Sequence, residues 1–193
     1  MLNESRERMP QRNDDHLRDG WIAPNPMLSE VKVLGAVPAM VLRYALDEEQ
    51  RLLAVLRYNR LIDVFTRTVC YSLQNHLRTF MPGIGEVDTG EIYLGLSMTG
   101  RQFVFPVQAR SEEDGIGTLQ VEQDLAVCAA KFPGSVCRPI AAQFMEDNLI
   151  ALFECEISAG EVFVREEKHY RIVTDKELMG QEATNDRSAR MKV

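Results

Sequence analysis

EIYLGLSMTGRQFVFPVQAR, residues 91–110, reads as two β-strands joined by a tight turn. Both EIYLGLS (91–97) and RQFVFPVQAR (101–110) are rich in β-branched and aromatic residues, and Met98-Thr99-Gly100 between them supplies the turn glycine. A two-residue turn at Thr99-Gly100 pairs Met98 with Arg101. That register sets Leu96 against Phe103, Leu94 against Phe105 and Ile92 against Val107 on one face. On the other face it gathers Glu91, Gln108 and Arg110 into a polar cluster at the far end of the hairpin. A slip of one residue would scramble both faces, because side chains alternate along a strand.

Outward from this hairpin, Asp47-Glu48-Glu49 is an N-cap with an acidic first turn, followed by Leu52, Leu53, Val55 and Leu56. From about Arg60 to Phe80 the residues Leu61, Phe65, Val69, Leu73 and Leu77 recur every fourth position, which predicts one long helix. Another helix is expected from Thr118 to Lys131, with Val121, Leu125 and Cys128 inward and Gln120 beside Asp124 at i, i+4. VCRPIAAQF (136–144), NLIALFECEIS (148–158) and EVFVREEKHYRIV (161–173) read as strands. Helices alternating with strands in this way give a mixed α/β class, a central sheet flanked by helices. The domain spans 29–173. Residues 1–28 read as a flexible arm anchored by Trp21 and Ile22, and 174–193 as a polar, disordered tail.

A chain of 193 residues, 45% hydrophobic and 26% charged, is sized for one domain with a proper core. No apolar run approaches a membrane span and the N-terminus lacks the apolar stretch of a signal peptide, so no membrane partner is expected and the cytoplasm is the default. Cys70, Cys128, Cys137 and Cys155 are widely spaced, without a CxxC, and read as buried structural thiols. The net charge of −7 argues against a general nucleic-acid coat, but a local basic stripe would suffice for phosphate contacts. His16, His76 and His169 are scattered. Glycine pairs at 83–85 and 115–117 lack the rest of any phosphate-loop motif.

A strand-end carboxylate facing a polar pair is a possible site for Mg²⁺ or Mn²⁺, which needs few carboxylates and keeps several waters. It is also what a solvated sheet face with a Glu91–Arg110 ion pair would look like. VFPVQAR after EIYLG, in this order of elements, resembles the PD-(D/E)XK (restriction-endonuclease-like) nuclease superfamily over roughly Arg60 to Phe153, and more closely a group of bacterial proteins of unassigned function. The resemblance implies Gln108-Ala109-Arg110 in the place of the (D/E)-x-K element, as in the Q-x-K branch, and Glu91 as the acid of the first strand. It implies Gln120 or Gln123 as the glutamine some branches carry on the following helix. Two positions depart from the family. The aspartate position falls on Gly90, with Asp88 close by, and the motif lysine is Arg110, whose planar guanidinium positions water differently.

Two functions follow as expectations. In the first, Glu91 and Asp88 hold a divalent metal, Gln108 completes its shell, and Arg110 orients water or phosphate for hydrolysis of DNA phosphodiesters. Gln120, Arg67 and Arg78 then contact the nucleic acid. In the second, the chain keeps the nuclease fold without catalysis, as a binding or regulatory subunit with a protein partner or as a homodimer. A plain oligomeric scaffold is a third, weaker option.

Overall fold

Strand pairing organises the whole chain. The computed structural model describes residues 17, 18, 20–146 and 148–179. In chain order the elements are β1 (Leu17–Arg18), β2 (Trp21–Ile22), β3 (Glu30–Leu34), α1 (Ala39–Tyr44), α2 (Glu48–Tyr58), α3 (Leu61–Thr66), β4 (Val69–Met81) and β5 (Gly85–Leu96). Then follow β6 (Gln102–Arg110), β7 (Ile116–Gly117), α4 (Thr118–Lys131), β8 (Val136–Cys137), β9 (Ile140–Phe144), β10 (Leu149–Ser158) and β11 (Glu161–Val173). The large sheet runs β3-β11-β10-β9-β6-β5-β4, with β8 also on β6, while β1, β2 and β7 form a small second sheet. Pairing is antiparallel except for β6 with β8 and β9, and β11 with β3. A parallel β6–β9 pair requires a crossover, and α4 provides it.

The two faces of the sheet have separate cores. Leu52, Leu56, Leu61 and Phe65 from α2 and α3 pack on Tyr93, Phe105, Val107, Ala142 and Leu152. On the opposite face Val121 of α4 packs with Ala141 and Phe153, and Cys128 packs with Ile92 and Val104. The expected mixed α/β layout with a large sheet flanked by helices is what forms. Asp47 caps α2 as expected, its Oδ1 accepting from the Gln50 amide at 2.7 Å. Of the expected arm, Ile22 is buried and anchors to Ile116 and Val121, whereas Trp21 is half exposed. Residues 1–16 lie outside the described residues. Of the expected tail, 175–179 form a helical turn capped at Thr174 by Glu177, and 180–193 lie outside the described residues.

Two expectations are corrected. The helix over 60–80 ends at Thr66, where Arg67 turns left-handed at φ 53°, and the rest becomes β4. Leu61 and Phe65 are buried as a helical stripe should be, but Val69, Tyr71 and Leu73 are more than half exposed on an edge strand. A repeat of four is an even multiple of the strand period of two, so the recurrence fits both structures. The β-branched and aromatic content of TVCYSLQNHLRTF favours the strand. This edge strand is irregular. Its register shifts between Ser72 and Gln74, and His76 sits at φ 49°.

The hairpin register is also one residue off the expectation. Leu96 pairs with Gln102 and Glu91 with Val107, leaving Met98-Thr99-Gly100 as a three-residue loop. Gly100 at φ 80° takes the left-handed position that such loops need, and Arg101 N donates to Ser97 Oγ at 3.0 Å. Packing pins this register. A Cβ on Gly95 would come within 2.4 Å of the Phe105 ring and 2.9 Å of Thr68.

Gly95→Ala is therefore expected to lower stability by about 1–3 kcal/mol through overpacking, more than Gly100→Ala, whose site is open and whose cost is conformational at about 1 kcal/mol. Urea denaturation of both variants checks the order.

Candidate functional site

Beyond the Glu91–Val107 pair, β5 and β6 part company. Residues Gly85–Thr89 pair only with β4, while Val107–Arg110 pair with β9. Side-chain alternation breaks at this split. Glu91 points to the α2 face, where its Oε1 accepts from Arg57 Nε at 2.9 Å and from Ser72 Oγ. Thr89, two residues earlier, points to the other face and donates to Asp124 Oδ1 of α4 at 2.5 Å. Gly90 is the pivot. A Cβ there would stand 2.8 Å from the Val107 carbonyl oxygen, so only glycine lets the two backbones approach this closely.

Gln108 lies on the α4 face, buried, with its Nε2 donating to both Asp124 oxygens at 3.1 and 3.2 Å and to the Asp88 carbonyl at 3.2 Å. The corrected register thus puts Glu91 and Gln108 on opposite faces of the sheet. Arg110, at the end of β6, donates to Glu49 Oε2 at 3.1 Å. A Cβ on Gly90 would be 3.6 Å from Glu49 Oε1 and 3.8 Å from Gln108 Oε1. The missing side chain at 90 is therefore the one that would sit between Glu49 and Gln108. Asp88 is bound by Arg78 Nε at 3.0 Å and lies 3.6 Å from His76 Nδ1, whose other nitrogen meets Gln50.

Burial shapes the acids at this split. It pushes the Glu49 carboxyl up, against the pull of Arg110 and His76. It also drives Asp124 up to about 6, although the hydrogen bonds from Thr89 and Gln108 and the charge of Arg110 oppose it. Tyr93 is buried beside Glu91, and desolvation together with that carboxylate raises its phenol. Among the described residues, neither Tyr93 Oη nor Glu91 Oε2 has a partner at full hydrogen-bond geometry, although Glu91 and Arg57 are the groups nearest the phenol.

Of the residues expected from the sequence, Gln108, Arg110 and Asp88 surround the split, and Gln120 lines the cleft beside it with Arg110. Glu91 is turned away and ion-paired. Arg67 precedes β4 and Arg78 stands near its far end, roughly 35 Å along the chain at ~3.3 Å per residue, so they do not form one phosphate-binding patch with Gln120. As donors to Mg²⁺ or Mn²⁺ these residues do not fit. Glu91 and Gln108 face apart, and the carboxylates of Glu91 and Asp88 are held by arginines. As site residues, sequence reasoning missed Glu49, Thr89 and Asp124. Asp124 had a signal, since its spacing from Val121 and Cys128 puts a carboxylate within the apolar stripe of α4. No described helix is long and apolar enough to cross a membrane. The chain matches no family model, no curated protein and no solved structure.

Two outcomes follow. Removing Glu91, fully buried against a partly exposed Arg57, takes the acceptor from the guanidinium and from the Ser72 hydroxyl, so Glu91→Ala is expected to cost about 2 kcal/mol in chemical denaturation, with Glu91→Gln costing less. A carboxylate held only for a ligand would be removed with little loss or with a gain. For Asp124, the folded protein holds the proton more tightly than the unfolded chain does. Its contribution to stability is therefore full below about pH 4 and lost as pH rises through about 6. Raising its value from 3.8 to about 6 corresponds to about 3 kcal/mol over that window. Denaturation midpoints across pH should show this slope in the wild type and a flatter one in Asp124→Asn, which is more stable than the wild type above pH 7.

Proposed function

We propose that this chain is a nuclease-like α/β module that works by binding and not by cutting, a regulatory or partner-binding subunit. The observation that carries the reading is the backbone contact at Gly90. By the resemblance Gly90 falls where that family carries an aspartate, and the approach of the Val107 carbonyl leaves no room for a side chain there. The acid next to it, Glu91, serves the fold through Arg57 and Ser72. The remaining carboxylates at the split are matched to internal partners: Glu49 to Arg110, Asp88 to Arg78, and Asp124 to Thr89 and Gln108. A site arranged this way neutralises itself, whereas a metallonuclease leaves carboxylate oxygens facing the cation.

The second reading, hydrolysis of DNA phosphodiesters with Mg²⁺ or Mn²⁺, is favoured by one observation. Glu49 of α2 meets Gln108 and Arg110 of β6 beside an open cleft.

Plasmid nicking by the purified chain with Mg²⁺ and Mn²⁺, together with Mn²⁺ titration by calorimetry, separates the two. The binding reading expects no nicking and no stoichiometric metal uptake by folded protein. Nicking that disappears in a Glu49→Gln, Gln108→Ala variant would overturn it in favour of catalysis.

A further inference from the structure

The cleft beside the split has a volume of about 710 Å³ and is lined by Trp21, Glu49, Arg110, Glu113, Asp114 and Gln120, with Gly115 at its floor. Such a volume is that of a small-ligand site. Trp21 forms one wall. β2 pairs with β7 through Trp21 and Gly117, which fixes the indole against the loop that follows β6. The benzene ring of the indole rests on Gly115, where a Cβ would come within 2.7 Å of Trp21 Cε3, and approaches Gly117. Gly115 must stay without a side chain for the ring to lie there, and half of the Trp21 surface remains open to solvent. This is an aromatic wall held from behind and exposed in front.

The charge in the cleft is unbalanced. Arg110 and Glu49 cancel each other at 3.1 Å. Glu113 and Asp114 are exposed, and neither is ion-paired with any described residue; Asp114 takes a hydrogen bond from Ser111 Oγ at 2.9 Å. Two carboxylates without an ion-pair partner among the described residues, beside an indole, repel phosphate and attract cations, and an aromatic face adds the attraction of its quadrupole. Among biological cations, the planar guanidinium suits this pair of features best, because it stacks on a ring while its N–H groups reach carboxylates.

We propose that the Trp21 cleft binds an arginine side chain presented by a basic segment of a partner protein, with the guanidinium over the indole and its N–H groups directed to Glu113 and Asp114. This rests on the binding-module reading above and names the chemistry of the partner.

Trp21 is the single tryptophan of the sequence, so its emission reports on this cleft alone. Full-length protein is titrated with a short peptide of alternating glycine and arginine, with the glycine–glutamate counterpart, and with a single-stranded oligodeoxynucleotide. The expected result is a saturable change in emission with the arginine peptide only. Its apparent affinity should fall about tenfold or more in a Glu113→Gln, Asp114→Asn variant, whose changes are confined to exposed side chains. No saturable change with the peptide, or an equal response in that variant, overturns the proposal. So does a response to the oligonucleotide in place of the peptide, which would assign the cleft to a nucleobase. Plasmid nicking bears on the binding-module reading alone, so failure of one proposal is distinguishable from failure of the other.

Discussion

The closeness of the β5 and β6 backbones at Gly90, and of Gly95 to the Phe105 ring, constrains everything around the centre of this protein. With these two glycines in place the register of the hairpin has a single solution. That solution sends Tyr93, Phe105 and Val107 into the core under α2 and α3, and Ile92 and Val104 into the core under α4. Where the contact at Gly90 ends, the strands separate, and Thr89 and Glu91 fall on opposite faces. The polar residues at the split are therefore divided between two helices. α2 receives Glu91 through Arg57, and α4 receives Gln108 through Asp124.

Buried acids in this chain follow one rule: each is given a partner from a neighbouring element. Glu154 on β10, also buried, is gripped by Arg138, whose Nε lies 2.7 Å from its Oε1, and by Arg165. Arg138 in turn spreads over the rings of Phe103 and Phe105. Such pairs give little net stability compared with apolar packing of the same volume, but losing one partner is expensive, so they favour one arrangement over its neighbours. Asp124 is the exception in kind. It is buried with a hydroxyl and an amide in contact and a cation only at longer range, and burial drives it up to about 6.

Much of the fold was legible in the sequence for physical reasons. The Asp47 cap, the apolar stripe of α4 and the β-forming runs of β10 and β11 are local signals that tertiary packing reinforced. The misreadings came from signals that two structures share. Apolar residues four apart suit a helix and an edge strand alike, and Met98-Thr99-Gly100 serves a two-residue or a three-residue loop. The second ambiguity propagated furthest, because one residue of register moves Gln108 from the face of Glu91 to the face behind it. Glu49 and Trp21 were visible only as a helix-dipole acid and an anchor. Their place beside Arg110 depends on contacts between residues sixty to ninety positions apart, which no local pattern encodes.

The irregular outer strand has a consequence for how the molecule behaves in a crowd. β4 closes one side of the large sheet and carries exposed Tyr71, Leu73 and Phe80, a combination that would ordinarily invite strands from other molecules to dock along it. The register shift after Ser72 and the left-handed turn of the backbone at His76 interrupt the row of outward amides and carbonyls, so no long, straight template is offered. Straightening this strand, rather than making it less apolar, is the change that would open the protein to fibrillar self-assembly.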